Sequence, residues 1–320
     1  MDAFKSLIGR SPNFEAMLRS AQLIASTDVT ILITGETGTG KEVVANALQK
    51  HSARCNEPFV TLNCAALPEG IAESELFGHS KGAFTGALSN QSGRLQTAHN
   101  GTLFLDEVDS LSLALQAKLL RFLETGECQP VGQAQTVNVD VRIIAATNTS
   151  LQDKIAAGEF RQDLFFRLNV VPLQIPPLRD RSGDVDRLVN YFIEHFSAKH
   201  RLPAPRFAKS AMEVMRNYSW PGNVRELRNM CERLLILLPG QTLEASNIPH
   251  EIHARATPSS AKGQSGFALP ESGIDMETLE IDLINQALAR TKGNRSQAAR
   301  LLGMSRDTFL YRIHKYGIPI

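Results

Sequence analysis

The sequence predicts an α/β protein, a parallel sheet with helices on both faces, joined to a compact helical segment and ending in a separate basic helix-turn-helix. Three observations carry this. Short apolar runs alternate with helical patterns through the first half of the chain. Near residue 175 the strand signals stop and only helical periodicity continues. Beyond a Pro-, Gly- and Ser-rich stretch, residues 274–320 return to helical spacing. The 320 residues are 42% apolar and 21% charged, enough to bury a core in roughly two domains, which excludes a disordered chain or a disulfide-held mini-protein.

The first element is a helix over 14–25, where Phe14, Met17, Leu18, Ala21, Ile24 and Ala25 follow helical spacing behind a Ser11-Pro12-Asn13 start signal. Val29 to Thr34 reads as a buried strand, and a glycine-rich turn leads from it into a helix from Glu42 to His51. Phe59 to Leu62, Thr102 to Leu105, Val141 to Ala146 and Val170 to Ile175 are the further strands, with a helix marked by Leu115, Leu119, Leu120 and Leu123 among them. Val185, Leu188, Val189, Phe192, Ile193 and Phe196 then form one helical stripe, followed by helices over 210–218 and 222–238. The expected boundaries are an α/β unit over 1–175, a helical unit over 176–253, a linker over 254–273 with too little apolar surface to fold, and a helical unit over 274–320. No internal repeat is visible.

Lys plus Arg number 34 against 33 Asp plus Glu, so the net charge of +1 exerts no general pull on nucleic acid or membrane, and any electrostatic site is local. Cys55, Cys64, Cys128 and Cys231 show no short spacing of a zinc or redox motif and read as reduced thiols. No apolar run approaches the ~18 residues of a membrane span, and the start lacks a signal peptide's layout. A soluble, cytoplasmic protein without a membrane partner is expected.

Gly35-Glu36-Thr37-Gly38-Thr39-Gly40-Lys41 has the phosphate-loop spacing, between a predicted strand and a predicted helix. Glycines let backbone N–H groups close around phosphate oxygens, the helix N-terminus adds positive potential, and Lys41 reaches the terminal phosphates of ATP. Glu42 stands where a metal-touching hydroxyl is usual, so Mg2+ must be held in another way. Asp106-Glu107 closes an apolar strand, at the edge where parallel sheets bind ligands. Asp106 is the candidate for the metal and Glu107 for polarising water, although alone the pair also fits a solvated loop. Thr147-Asn148 ends another strand, where Asn148 can sense the terminal phosphate or simply make a turn.

Gly82-Ala83-Phe84-Thr85-Gly86-Ala87, together with the phosphate loop and the acid pair, resembles the AAA+ central domain of bacterial sigma-54-dependent transcription activators, or enhancer-binding proteins. The similarity covers 7–250 and, more loosely, 274–320. It implies an AAA+ P-loop NTPase with a helical lid, in which the six-residue motif tips a mobile loop that contacts sigma-54. It further implies that Asn63 is a switch paired with the catalytic glutamate, that Arg161 and Arg167 reach the neighbouring subunit's ATP, and that Arg225 is the lid's sensor arginine. Arg161 and Arg167, six apart, fall on different helix faces, which leaves open that one is an ion-pairing surface arginine. Trans-acting arginines imply a homo-oligomeric ring, a hexamer in this family. Three departures stand out: Arg94-Leu95-Gln96 for the usual Arg-Phe-Glu, Asn100 for a common Gly, and Pro130 for an arginine before Val131-Gly132 in a second loop. The asparagine swap is mild because asparagine tolerates left-handed backbone.

Residues 294–315 read as helix, glycine turn, helix, with Ser305 as an N-cap and Ala298, Leu301 and Leu302 packing on Phe309, Leu310 and Ile313. From Thr291 to Ile320 six Lys and Arg face a single Asp, a plausible footprint on double-stranded DNA. Arg295, Ser305, Arg306, Thr308, Tyr311, Arg312 and Lys315 are the candidate contacts. The segment resembles the Fis-type helix-turn-helix found at this family's C-terminus.

The expected function is ATP-dependent activation: binding to upstream DNA, assembly into a ring and remodelling of the closed complex of sigma-54 RNA polymerase. The alternatives are a DNA-binding regulator that keeps the AAA+ fold without remodelling sigma-54, and an unfoldase- or chelatase-like motor whose basic tail only docks. Almost nothing precedes the ATPase unit, so control is expected from expression level, a regulatory partner protein in trans or a domain absent from this chain.

Overall fold

The computed structural model describes residues 3–318 except 67, 85, 250, 251, 253–274 and 292. Thr85, Lys292 and the expected linker at 254–273 lie outside the described residues. Helix α1 (Pro12–Ala25) leads to strand β1 (Ile31–Thr34), helix α2 (Lys41–Lys50), β2 (Phe59–Asn63) and α3 (Glu69–Phe77). A short antiparallel pair, β3 (Gly78–His79) and β4 (Gln91–Ser92), frames a loop before α4 (Arg94–Thr97) and β5 (Thr102–Asp106). Next come α5 (Leu113–Thr125), a second antiparallel pair of β6 (Glu127–Cys128) and β7 (Val137–Asn138), then β8 (Arg142–Thr147), α6 (Leu151–Ala156), α7 (Gln162–Leu168) and β9 (Val171–Gln174).

Five strands form one parallel sheet in the order β2-β5-β8-β1-β9. Successive side chains of a strand point to opposite faces. Ile31 and Ile33 of β1 accordingly pack with Phe104, Ile144, Ala146 and Leu173 against α1 and α2. Leu32 packs with Leu103, Leu105, Ile143 and Ala145 in the opposite layer, which includes side chains of α3, α5 and α7. Burial on both faces explains why the strands read as continuous apolar runs. Arg142 is the exception within β8. Its guanidinium is buried and donates to the carbonyls of Ala25 (2.9 Å) and Ile24 (3.1 Å) at the C-terminal end of α1, where a cation is favoured.

After a 3-10 turn at Leu178–Asp180, α8 (Asp184–His200), α9 (Lys209–Asn217) and α10 (Asn223–Leu237) pack around Trp220 and Phe196, both fully buried. Sequence patterning expects helices alone here, but β10 (Arg206–Phe207) and β11 (Thr242–Leu243) form a two-residue parallel ladder. A pair that short leaves no periodicity to read.

A buried ion pair joins the start of α8 to the N-terminal segment. Asp184 accepts from Arg181 Nε (2.9 Å), from the backbone N–H of Arg10 (2.6 Å) and Ser11 (3.2 Å), and from the Ser11 hydroxyl (3.0 Å). Arg181 also donates to the Ile8 carbonyl (2.6 Å) and lies 3.7 Å from the centre of the Phe14 ring.

The second compact unit contains α11 (Met276–Arg290), α12 (Arg295–Leu301) and α13 (Arg306–Lys315) around Ile284, Ala298, Ala299, Phe309 and Ile313. Leu301 corrects the expected packing: it is 59% exposed, and Ala299 takes the inner position. At about 100° per residue, Ala298, Ala299 and Leu302 share one side of α12 while Leu301 falls outside it. Leu310 is half-buried.

Candidate functional site

The sheet order places the C-terminal ends of β5, β8 and β1 side by side. The phosphate loop, the acid pair and Thr147-Asn148 therefore emerge along one edge. Gly38 and Gly40 have φ of +81° and +100°, backbone that side-chain-bearing residues rarely adopt. Lys41 Nζ donates to the carbonyls of Gly35 (2.8 Å) and Glu36 (3.4 Å). Burial holds its pKa below the ordinary lysine value, an effect that the nearby Asp106 and Glu107 oppose. Asn148 Nδ2 donates to Thr37 Oγ1 (3.0 Å), linking the end of β8 to the loop.

Asn63 lies beside Asp106 in the β2–β5 ladder. Its side-chain oxygen accepts from the N–H groups of Ala65 (2.9 Å) and Ala66 (3.0 Å), an Asx turn. Among the described residues, Asn63 makes these two side-chain bonds and none to the expected partner, Glu107. Glu107 has φ of +54°, strained for a residue with a side chain, and its N–H donates to Asp106 Oδ1 (3.1 Å). The Thr147 hydroxyl donates to Asp109 (2.7 Å). The Cys64 thiol reports the local field: burial, with the added charge of Asp106, Asp109 and Glu107, pushes its pKa up to about 12.

One cavity of about 460 Å³ brings the loop, Asn63 and the acid pair together, while Asn148 lies outside its lining. It is lined by Thr37, Gly38, Gly40, Lys41 and Glu42 from the loop and α2, by Asn63, Asp106 and Glu107 from the sheet edge, and by Arg225 and Arg228 from α10. Arg225 also donates its backbone N–H to the Gly38 carbonyl (3.2 Å). Arg228 is absent from the sequence-based candidates, yet its position three residues after Arg225 puts both on one helix face and could have revealed it.

Arg161 and Arg167 do not line this cavity. Arg161 is the N-cap residue of α7, outside the helix proper, and makes a bidentate pair with Asp163 (3.1 and 2.7 Å). Arg167, in the last turn, donates to the Leu123 carbonyl (3.2 and 2.8 Å). The expectation of two faces of one helix is thus replaced by one position before it and one at its end.

The loop of residues 82–87 stands on the β3–β4 pair. Gly82 N–H donates to the Ala87 carbonyl (2.9 Å), and Gly82 and Gly86 have φ of +83° and +110°. Phe84 is 44% exposed, with its ring 5.0 Å from that of His79, which in turn bonds Ser74 (2.7 Å). The second loop braces this base through Val131, whose N–H donates to Gly78 (2.8 Å) and whose carbonyl accepts from Ser80 N–H (3.0 Å). Pro130 is buried beside these contacts, and none of them needs an N–H from it.

In the second unit Ser305 caps α13 by accepting from Thr308 N–H (3.2 Å). Arg295, Arg306, Thr308, Tyr311 and Lys315 are exposed. Arg312 departs from the expectation because it pairs with Glu280 of α11, drawing its charge toward the unit's own helix.

Comparison with known proteins agrees with this geometry. The sigma-54 interaction domain matches residues 7–174, the AAA+ ATPase lid domain residues 179–265, and the bacterial regulatory protein Fis family residues 275–316. The chain is 44% identical over 309 residues to the transcriptional regulatory protein ZraR of Klebsiella oxytoca, covering 97% of this chain and 68% of ZraR. It is 42% identical over 340 residues to the DNA-binding transcriptional regulator NtrC of Rhizobium meliloti, covering 98% and 70%. Among solved structures, NtrX from Brucella abortus in complex with ATP superposes with a TM-score of 0.72 at 36% identity, covering 97% of this chain and 69% of that one. A match of the sigma-54 interaction domain across more than half the chain, with lid and Fis-type domains in succession behind it, shows that the chain belongs to the sigma-54-dependent transcriptional activators.

Proposed function

We propose that this activator is an ATPase that converts hydrolysis into movement of the 82–87 loop against sigma-54, within a hexameric ring held at upstream DNA by residues 274–320. The single observation carrying this reading is the convergence of Lys41, Asp106, Glu107 and Arg225 on one cavity at the sheet edge. The ATP complex of NtrX supports the choice of nucleotide. In the same proposal the chain divides into an ATPase unit over 1–175, a lid over 176–253, a linker over 254–273 and a DNA-binding unit over 274–320.

Among the described residues, no group of three or more His, Cys, Asp and Glu side chains could hold a metal by itself. The carboxylate oxygens of Asp106, with Glu107 beside it, fit Mg2+, a hard cation that takes one or two carboxylates and completes its shell from phosphate and water. When bound, the ion supplies neutralisation of charge on the phosphate oxygens. Asp106 would hold it, Lys41 and the loop N–H groups bind the polyphosphate, and Glu107 orients the attacking water and accepts its proton. Asn63 and Asn148 report the state of the terminal phosphate. Arg161 and Arg167, which lie outside their own subunit's cavity, serve the site of the adjoining subunit, and Arg225 carries the nucleotide state to the lid.

In an ATPase assay Glu107→Gln is expected to lose about 100-fold or more in rate while still binding nucleotide. Transcription from closed complexes of sigma-54 polymerase separates chemistry from its use: Thr85→Ala hydrolyses ATP but opens no promoters. Equal opening by both proteins would end the loop's role. A parent protein that cleaves no ATP in any assembly state would end the whole reading.

A further inference from the structure

The phosphate loop is fastened to the lid at three successive residues. Glu36, the second residue of the loop, turns its carboxylate to Arg179, which donates from Nη1 to Oε2 (2.8 Å) and from Nη2 to Oε1 (2.6 Å). Asn223 Nδ2 donates to the same carboxylate (3.2 Å) and to the Thr37 carbonyl (3.1 Å). The Gly38 carbonyl accepts from Arg225 N–H. Asn223 is itself fixed: it is fully buried, has φ of +50°, and its side-chain oxygen accepts from Leu178 N–H (2.8 Å). The approach of lid to loop is close enough that a Cβ on Gly38 would lie 2.2 Å from the Gly222 carbonyl oxygen.

We infer that Glu36, Arg179 and Asn223 form a bracket that positions the phosphate loop, with the Glu36 carboxylate acting through the lid rather than as a ligand of the nucleotide. Sequence spacing alone counts Glu36 among the nucleotide-binding residues. A carboxylate facing a polyphosphate would repel it, whereas here the charge is matched by a bidentate guanidinium. Across a trans peptide a carbonyl and the following N–H point in opposite directions. Anchoring the Thr37 carbonyl therefore fixes the direction of the Gly38 N–H, and the bracket orients a donor of the loop without occupying its cavity. The lid contributes to phosphate binding twice, through Arg225 and through this hold on the loop. The inference rests on the nucleotide-binding reading of the cavity.

The test is a double-mutant cycle on the full chain with Glu36→Gln, Arg179→Gln and both together. ADP affinity and the ATP KM and kcat are measured, with Lys41→Ala as the control for loss of binding. Each single substitution is expected to raise the ADP Kd and the ATP KM about fivefold, with kcat changed much less, and the double to match the singles because one unit is broken once. Faster hydrogen exchange at the Thr37 and Gly38 amides is expected in all three variants. Unchanged Kd in the singles, multiplied effects in the double, or a loss confined to Glu36→Gln would overturn the bracket. A parent that does not bind ADP would instead overturn the reading of the cavity, and the bracket with it.

Discussion

The burial of the cysteines and the backbone of Asn100 show how far local chemistry can be taken. Cys55 is exposed, whereas Cys64, Cys128 and Cys231 are buried, and burial pushes their thiols up to about 12, about 11 and about 12. Raised values leave almost no thiolate near pH 8, and the thiolate is the reactive form. A thiol-labelling time course at pH 8 should therefore show one fast group in the native protein and four after denaturation. Asn100 has φ of +62°, so its mild replacement of glycine has a backbone reason. Asn100→Gly should leave stability nearly unchanged, whereas Asn100→Ala should cost about 1 kcal/mol in denaturant unfolding, the strain of a left-handed residue without asparagine's local bonding. The sequence made the cysteines and Asn100 visible, but the role of Asn100 came from resemblance. Arg179 stayed hidden because its partner, Glu36, lies far away along the chain, whereas Arg228 was within reach of the helical spacing from Arg225.

At the level of elements, legibility followed length and burial. The phosphate loop was readable because a strand buried on both faces leaves an unbroken apolar run before its glycines. The ladders β3–β4, β6–β7 and β10–β11 were not, since two residues carry no period. Helix α12 lies between these cases: seven residues define a face loosely, and Leu301, expected inside, is exposed. The N-cap of α13 depends on one side chain and one backbone bond, and a serine just before a helical run is enough to mark it. Ser305→Ala should remove about 1 kcal/mol from that helix. Hydrogen exchange on the full chain should show faster exchange confined to 295–315, together with weaker binding of the tail to DNA at moderate salt. Leu301→Ser should change that exchange little, because its side chain is already in water.

The whole molecule tests the proposal that catalysis crosses between subunits. Lys41→Ala and Arg161→Ala should each be inactive alone, one lacking its own phosphate ligand and the other lacking what it donates to a neighbour. Mixed in equal amounts they should regain roughly a quarter of parental ATPase activity if rings assemble at random, because a quarter of the interfaces then join an intact loop to an intact arginine. No recovery would place Arg161 in its own subunit's chemistry or in structure alone. Assembly is the scale at which sequence says least: the arginines are legible only by resemblance, and in one chain they rest on Asp163 and Leu123.

The buried pair of Asp184 and Arg181 grips the backbone of residues 8–11 as well as the first turn of α8. The entrance of the chain and the root of the lid thus share a single rivet. Because residue 11 runs directly into α1, whose Phe14 and Met17 pack on the central strands, a displacement of residues 8–11 would reach the sheet and the first turn of α8 alike.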